Sequence, residues 1–201
     1  NRHNPFFLLL NKDTRLNHGD AYGFNLIYSG PFKATIEHTF NNNLRIQHGI
    51  NDETFSKTLN EEEVFITPFA VITYSQGGEN GVSHNFHHFI QNHVVRKQYA
   101  KKTRPILLNN WEATYFTFNE SKIKSLISKS SELGIELFVL DDGWFINRND
   151  DFKGLGNYEV DKNKLPHGLK GLSDYAHKKG VLFGLWFEPE MVSKDHPLFH
   201  E

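Results

Sequence analysis

Leu133-Gly134-Ile135-Glu136-Leu137-Phe138-Val139-Leu140-Asp141-Asp142-Gly143-Trp144-Phe145 is the stretch on which the reading of the fold turns. It joins the end of a helix to a buried strand. Upstream of it, Ile123, Leu126, Ile127 and Leu133 recur at spacings of three and four, with Asn119 placed to cap the first turn and Gly134 to close the last. Leu137 to Leu140 is an unbroken apolar run without polar alternation, the pattern of a strand covered on both faces. Ile106-Leu107-Leu108 before it and Val181 to Phe187 after it are of the same kind. A second helix from Leu169 to Lys179, stopped by Gly180, lies between the last two strands. The order is β-α-β-α-β, which demands helices on the outer face. Either a (β/α)8 barrel or a doubly wound sheet accommodates it. The glycine-rich turn of a dinucleotide site does not follow the first strand.

Toward the N-terminus the period changes. Tyr22–Tyr28, Lys33–His38, Leu44–His48 and Val71–Tyr74 are short β-rich runs, broken at Ser29-Gly30-Pro31, Asn41-Asn42-Asn43 and Gln76-Gly77-Gly78. Repeated short strands between such turns predict a β-sandwich portion over residues 1–79. Val82, Phe86, Phe89, Ile90 and Val94 return to helical spacing, with Asn80 or Ser83 as the expected N-cap. Residues 80–104 are thus expected to be a linker helix and connector, and residues 105–201 the first part of an α/β unit.

Bulk properties narrow the function classes. The 201 residues carry a net charge of −2 with scattered lysines and arginines, so no nucleic-acid partner is expected. No apolar run approaches a membrane span, and no membrane partner is expected. Without cysteine there is neither a disulfide nor a thiolate metal site. His84 and His88 have the spacing of a zinc pair. They lack the adjacent glutamate and third ligand, so exposed or packing histidines are the expectation and no metal or cofactor is foreseen. The chain opens on Asn1 and closes on Glu201 soon after a strand, the pattern expected of a fragment.

Ligands of α/β units bind beyond the carboxyl ends of the strands. Those ends here carry Asn109-Asn110-Trp111-Glu112, Asp141-Asp142-Gly143-Trp144 and Trp186-Phe187-Glu188-Pro189-Glu190. Carboxylates accept from vicinal hydroxyls and an indole covers the C–H face of a ring, which is what a sugar requires. Adjacent acids also make Asx turns, and a single tryptophan is often core. Three successive strand ends with both features favour the sugar site. Neighbours on a strand point apart, so Asp141 and Asp142 do not span the roughly 5 Å gap of a retaining catalytic pair. A break in alternation at the strand end would let both reach one ligand as hydroxyl acceptors. Glu188 and Glu190, two apart, remain candidates for acid–base work from chemistry alone.

Asn109 to Phe116 resembles the opening of the catalytic barrel in bacterial α-galactosidases of glycoside hydrolase family 36. The likeness continues through Leu133–Phe145, Val160–Pro166 with Gly168-Leu169, and Phe183–Val192. His3-Asn4-Pro5-Phe6, His18–Phe24 and Tyr28-Ser29-Gly30 are similar to that family's N-terminal β-supersandwich. The resemblance implies a mixed fold, a β-sandwich portion followed by the first three strands of a (β/α)8 barrel. It implies a retaining hydrolase that removes terminal α-linked galactose from melibiose- or raffinose-type oligosaccharides, cytoplasmic and homotetrameric at full length. Related galactosyl transfer, or carbohydrate binding without catalysis, is the alternative. It further implies that Asp141 and Asp142 hydrogen-bond the 4- and 6-hydroxyls of galactose and that Trp111 and Trp186 line the same subsite. Asp20 would fall in a segment reaching a neighbouring subunit's site. The nucleophile, in a Lys-Trp-Asp pattern after strand four, and the acid/base would both lie past residue 201, so the isolated chain is expected to be inactive. Gly156-Asn157-Tyr158 departs from the family's Gly-Asp-Trp.

Overall fold

A computed structural model describes residues 3–53 and 55–200. The chain divides into two compact units, residues 1–102 and 103–201.

In the first unit, β1 (Phe6–Leu10), β2 (Ala21–Ile27) and β5 (Phe69–Ser75) form an antiparallel sheet in the order β1-β2-β5. Between β2 and β5 the chain makes a separate antiparallel pair, β3 (Phe32–His38) with β4 (Leu44–Ile50). The His48 ring of that pair lies 5.3 Å from Phe7 and 5.9 Å from Phe32. Helix α1 (Gly78–Phe89) covers one face of the three-stranded sheet through Val82 and Phe86, which pack on Ala21, Leu8 and Val71. Gly23 makes that approach possible, because a Cβ there would stand 2.4 Å from Val82. Two expectations are corrected here. The helix begins at Gly78 with no side-chain cap, ahead of Asn80 and Ser83, and its first three turns are a packed layer of this unit, not a connector. A π-helical turn (Ile90–Val94) and the short α2 (Lys97–Ala100) complete the unit.

The second unit holds the parallel sheet foreseen from the sequence. β6 (Leu107–Asn109), β7 (Leu137–Leu140) and β8 (Leu182–Leu185) run side by side in that order. The connections carry α3 (Trp111–Thr114), α4 (Glu120–Glu132) and α5 (Gly168–Lys178), and a 3-10 turn (Pro197–Phe199) ends the described chain. Asn119 Oδ1 accepts from Lys122 N at 3.0 Å, so α4 is capped as expected. Ile123 and Ile127 of α4, Leu172 and Ala176 of α5, and Phe138 and Leu140 of β7 form one sealed core. The opposite sheet face is open: Leu107 and Leu182 are each 50% exposed. The sheet is not closed into a barrel among the described residues.

Candidate functional site

The strand ends of the second unit assemble around Asp141. Phe138 and Leu140 point into the helical core, so Leu137, Val139 and, one residue past the strand, Asp141 belong to the open face. Asn109 at the end of β6 has the same parity, and its side-chain amide donates to Asp141. The buried Asn110 accepts the Asp141 backbone N–H at 2.8 Å and donates to Thr114 Oγ at 2.7 Å. Asn109 Oδ1 in turn accepts the Trp111 N–H at 2.7 Å. One asparagine therefore links Trp111 to Asp141. The half-buried Trp111 indole stands edge-on to Tyr115 and Phe116, with ring centroids 5.2 and 5.0 Å away. Tyr115 has φ +45°, a strained conformation for a side-chain-bearing residue, in the turn that carries those rings. Its O–H donates to Glu112 at 2.9 Å, a bond that raises the phenol's pKa.

Asp142 is placed differently from the expectation. Strand alternation persists past Leu140, so its carboxylate turns to the helical side and is 96% buried by residue, with 4% exposed. There Arg148 Nε sits 3.0 Å from both Asp142 oxygens, and the second guanidinium nitrogen sits 2.7 Å from Oδ2. The two acids are not presented side by side as free acceptors: Asp141 is the accessible one, and Asp142 is committed to a buried ion pair. Burial disfavours the Arg148 charge, but the bond and charge of Asp142 outweigh it and raise its pKa. The following Gly143 has φ +90°, and a Cβ would meet the Phe116 ring at 2.9 Å. Asn110 and Lys164 lie in motifs quoted from the sequence but carried no assigned role there, and Arg148 was not singled out at all. Arg148 sits in the polar run Asn147–Asp151, whose composition resembles any exposed loop.

Trp144 is also corrected. It is 1% exposed, a core side chain and not a sugar platform, and its indole N–H donates to the Trp186 carbonyl at 3.1 Å. It thereby pins the end of β8. Trp186 itself is half-buried at that end, and its N–H donates to Leu140 O at 2.9 Å. Tyr158, at the position that departs from the family pattern, packs among Trp144, Phe145 and Phe187 at 5.0 to 6.0 Å. Its hydroxyl accepts the Glu188 N–H at 3.3 Å. Asp20 lies in the first unit before β2, where its carboxylate accepts from Tyr74 O–H at 2.5 Å and Asn11 Nδ2 at 3.1 Å. His84, His87 and His88 are exposed on α1. Among the described residues no group of three His, Cys, Asp or Glu side chains is placed to hold a metal ion.

Acid, amide and indole are thus gathered at the carboxyl ends of the parallel strands, where α/β units bind their ligands. Two family models match this chain: Melibiase over residues 64–201, and the glycosyl hydrolase family 36 N-terminal domain over residues 1–60. The chain belongs to the melibiase family, glycosyl hydrolase family 36. Alpha-galactosidase Mel36A of Lactobacillus acidophilus is 46% identical over 198 residues, and alpha-galactosidase 1 of Pediococcus pentosaceus is 44% identical over the same length. Each alignment covers 98% of this chain and 27% of the relative, so the chain spans about a quarter of the length of these curated proteins. The crystal structure of GH36 alpha-galactosidase AgaA from Geobacillus stearothermophilus superposes with a TM-score of 0.86 at 46% identity, covering 98% of this chain and 27% of that one. Variants of AgaA have been solved in complex with stachyose and with raffinose.

Proposed function

We propose that this chain is the part of a retaining α-galactosidase that carries the end of a β-supersandwich and the first three strands of a (β/α)8 barrel. The observation that carries the reading is the Trp111–Asn109–Asp141 linkage at the carboxyl end of a parallel sheet. Asp141 accepts from the outer hydroxyls of a terminal galactose, and Trp111 and Trp186 flank the ring. Asp142 makes no direct sugar contact in this reading; its buried pair with Arg148 supports the turn that carries Asp141. The open face bearing Leu107 and Leu182 is the face that the remaining strands of a closed barrel would cover. The AgaA complexes with raffinose and stachyose support α-galactosides as the substrate class. In this reading the full-length protein is a homotetramer, with Asp20 reaching toward a neighbouring subunit's site. The attacking and protonating carboxylates come from beyond residue 201, so these residues alone do not cleave the bond.

The test is made on the full-length protein containing this chain. Wild type is expected to hydrolyse 4-nitrophenyl α-galactoside and raffinose, releasing the α-anomer first. Asp141→Asn removes a charge-assisted acceptor worth about 1.5 to 3 kcal/mol, a loss of roughly 10- to 150-fold in kcat/KM. Absence of galactose release by wild type, or an unchanged D141N enzyme, would defeat the assignment.

A further inference from the structure

Lys164 lies in the loop between β7 and α5, and its ammonium is turned inward onto backbone. It donates to the carbonyls of Gly143 at 2.8 Å, Phe116 at 3.2 Å and Arg148 at 3.3 Å. Three donors are thereby matched to three acceptors. The Phe118 ring lies 5.1 Å from the same nitrogen. Burial lowers the ammonium's pKa, and the charges of Asp161 and Asp142 offset this only in part. Keeping a cation there carries a desolvation cost that an apolar side chain would avoid.

The three carbonyls belong to the segments that build the sugar contacts. Phe116 packs its ring on Trp111 at 5.0 Å. Gly143 directly follows Asp141-Asp142, and Arg148 holds the Asp142 carboxylate through two nitrogens while its third donates to Lys153 O at 2.9 Å. Charge-assisted bonds from one ammonium therefore tie the Trp111 segment, the Asp141 turn and the Arg148 loop to a single point. The Asn109 side chain ties Trp111 to Asp141 from the open face. Lys164 ties the same two segments from behind.

We infer that Lys164 is a positioning residue that fixes Asp141 against Trp111 and thereby sets the affinity for a terminal galactose. The inference rests on the galactose reading of the preceding subsection. Losing the ammonium leaves three carbonyls without their shared donor and lets the two segments drift apart. A drift on the order of 1 Å is enough to cost a large factor in a site that depends on alignment.

The experiment uses the full-length protein and free D-galactose as probe, with Kd from calorimetry and kcat and KM on 4-nitrophenyl α-galactoside. Far-UV circular dichroism fixes a temperature at which every variant is folded. Lys164→Met is expected to weaken galactose binding by about tenfold and to raise KM, and Lys164→Arg to weaken it by roughly two- to fivefold. Lys170→Met, at an exposed pair with Asp174, serves as the control and leaves both constants unchanged. The decisive readout is a double-mutant cycle. If Lys164 acts by placing Asp141, neither K164M nor K164R weakens binding further in a D141N background. Should K164M not fold, the K164R cycle decides the matter. Wild-type affinity in a folded K164M or K164R protein, or penalties that persist undiminished beside D141N, overturns the positioning role while leaving the galactose reading intact. A wild-type protein that neither binds galactose nor hydrolyses the galactoside overturns that reading, and this inference with it.

Discussion

At the scale of single residues, neighbours in sequence have parted in role. Asp141 and Asp142 are adjacent, yet pleat parity sends one to the open face and the other into a buried pair with Arg148. The pair is 4% and 6% exposed at its side chains, where breaking one partner leaves an uncompensated charge. Asp142→Asn in the full-length protein is therefore expected to cost about 3 to 5 kcal/mol of unfolding free energy. Lys170→Met, which breaks a pair exposed at 84% and 62%, should cost less than about 1 kcal/mol. Urea titrations of both variants test this, and equal losses would sink the buried-pair account. The residue types at the strand ends were legible in the sequence; the direction of Asp142 was not. Its partner lies six positions on in a polar loop, and no periodicity links a strand end to a cation in the loop that follows it. Trp144 shows the same limit, since an indole on a strand end looks alike whether it faces sugar or core.

At the scale of elements, helix α4 is joined to the loop before α5 by Glu120. Its backbone N–H donates to Lys164 O at 2.8 Å, and its carboxylate accepts from the His167 backbone at 3.0 Å, the His167 ring and Lys124. Burial alone would raise this carboxyl's pKa, but the donors from Lys124 and His167 prevail and hold it at about 2, below the ordinary 4.5. A depressed carboxyl stabilises the folded state fully above its unfolded pKa, and that contribution is lost as pH falls through the folded value. Between pH about 4.5 and about 2 the wild-type protein should lose stability more steeply than Glu120→Gln. Denaturant midpoints measured across that window check the sign, and parallel curves would remove Glu120 from the account. Helices α4 and α5 and strand β7 were legible because a period of three to four, an Asn cap and terminal glycines are local signals. The start of α1 was not, because Gly78 begins the helix where Asn80 offered a better cap. The N–H of Gly78 bonds Gly19 O at 3.1 Å, a tertiary contact.

At the scale of the whole molecule, local patterning separated β-rich from α/β sequence but did not encode the pairing within the first unit. β2 pairs with β5 across the inserted β3–β4 hairpin, a long-range partnership that alternation alone does not encode. Phe6 to Leu10 became β1 by pairing with β2, although its unbroken apolar run lacks the alternation sought for a half-exposed strand. The β-α-β-α-β order of the second unit was legible because its parallel strands are near-continuous apolar runs. Its open face, with Leu107 and Leu182 half exposed, marks a surface that other residues of the protein are expected to cover.

The burial of the three tryptophans has an optical consequence. Trp144 is sealed in the core with its N–H bonded, whereas Trp111 and Trp186 are half-buried at the strand ends. In the full-length protein, W111F and W186F difference spectra should each remove emission that acrylamide quenches and galactose protects. W144F should remove a bluer component that neither reaches. If Trp111 and Trp186 flank the sugar as proposed, these two indoles report whether the subsite is filled, and Trp144 reports only whether the protein is folded.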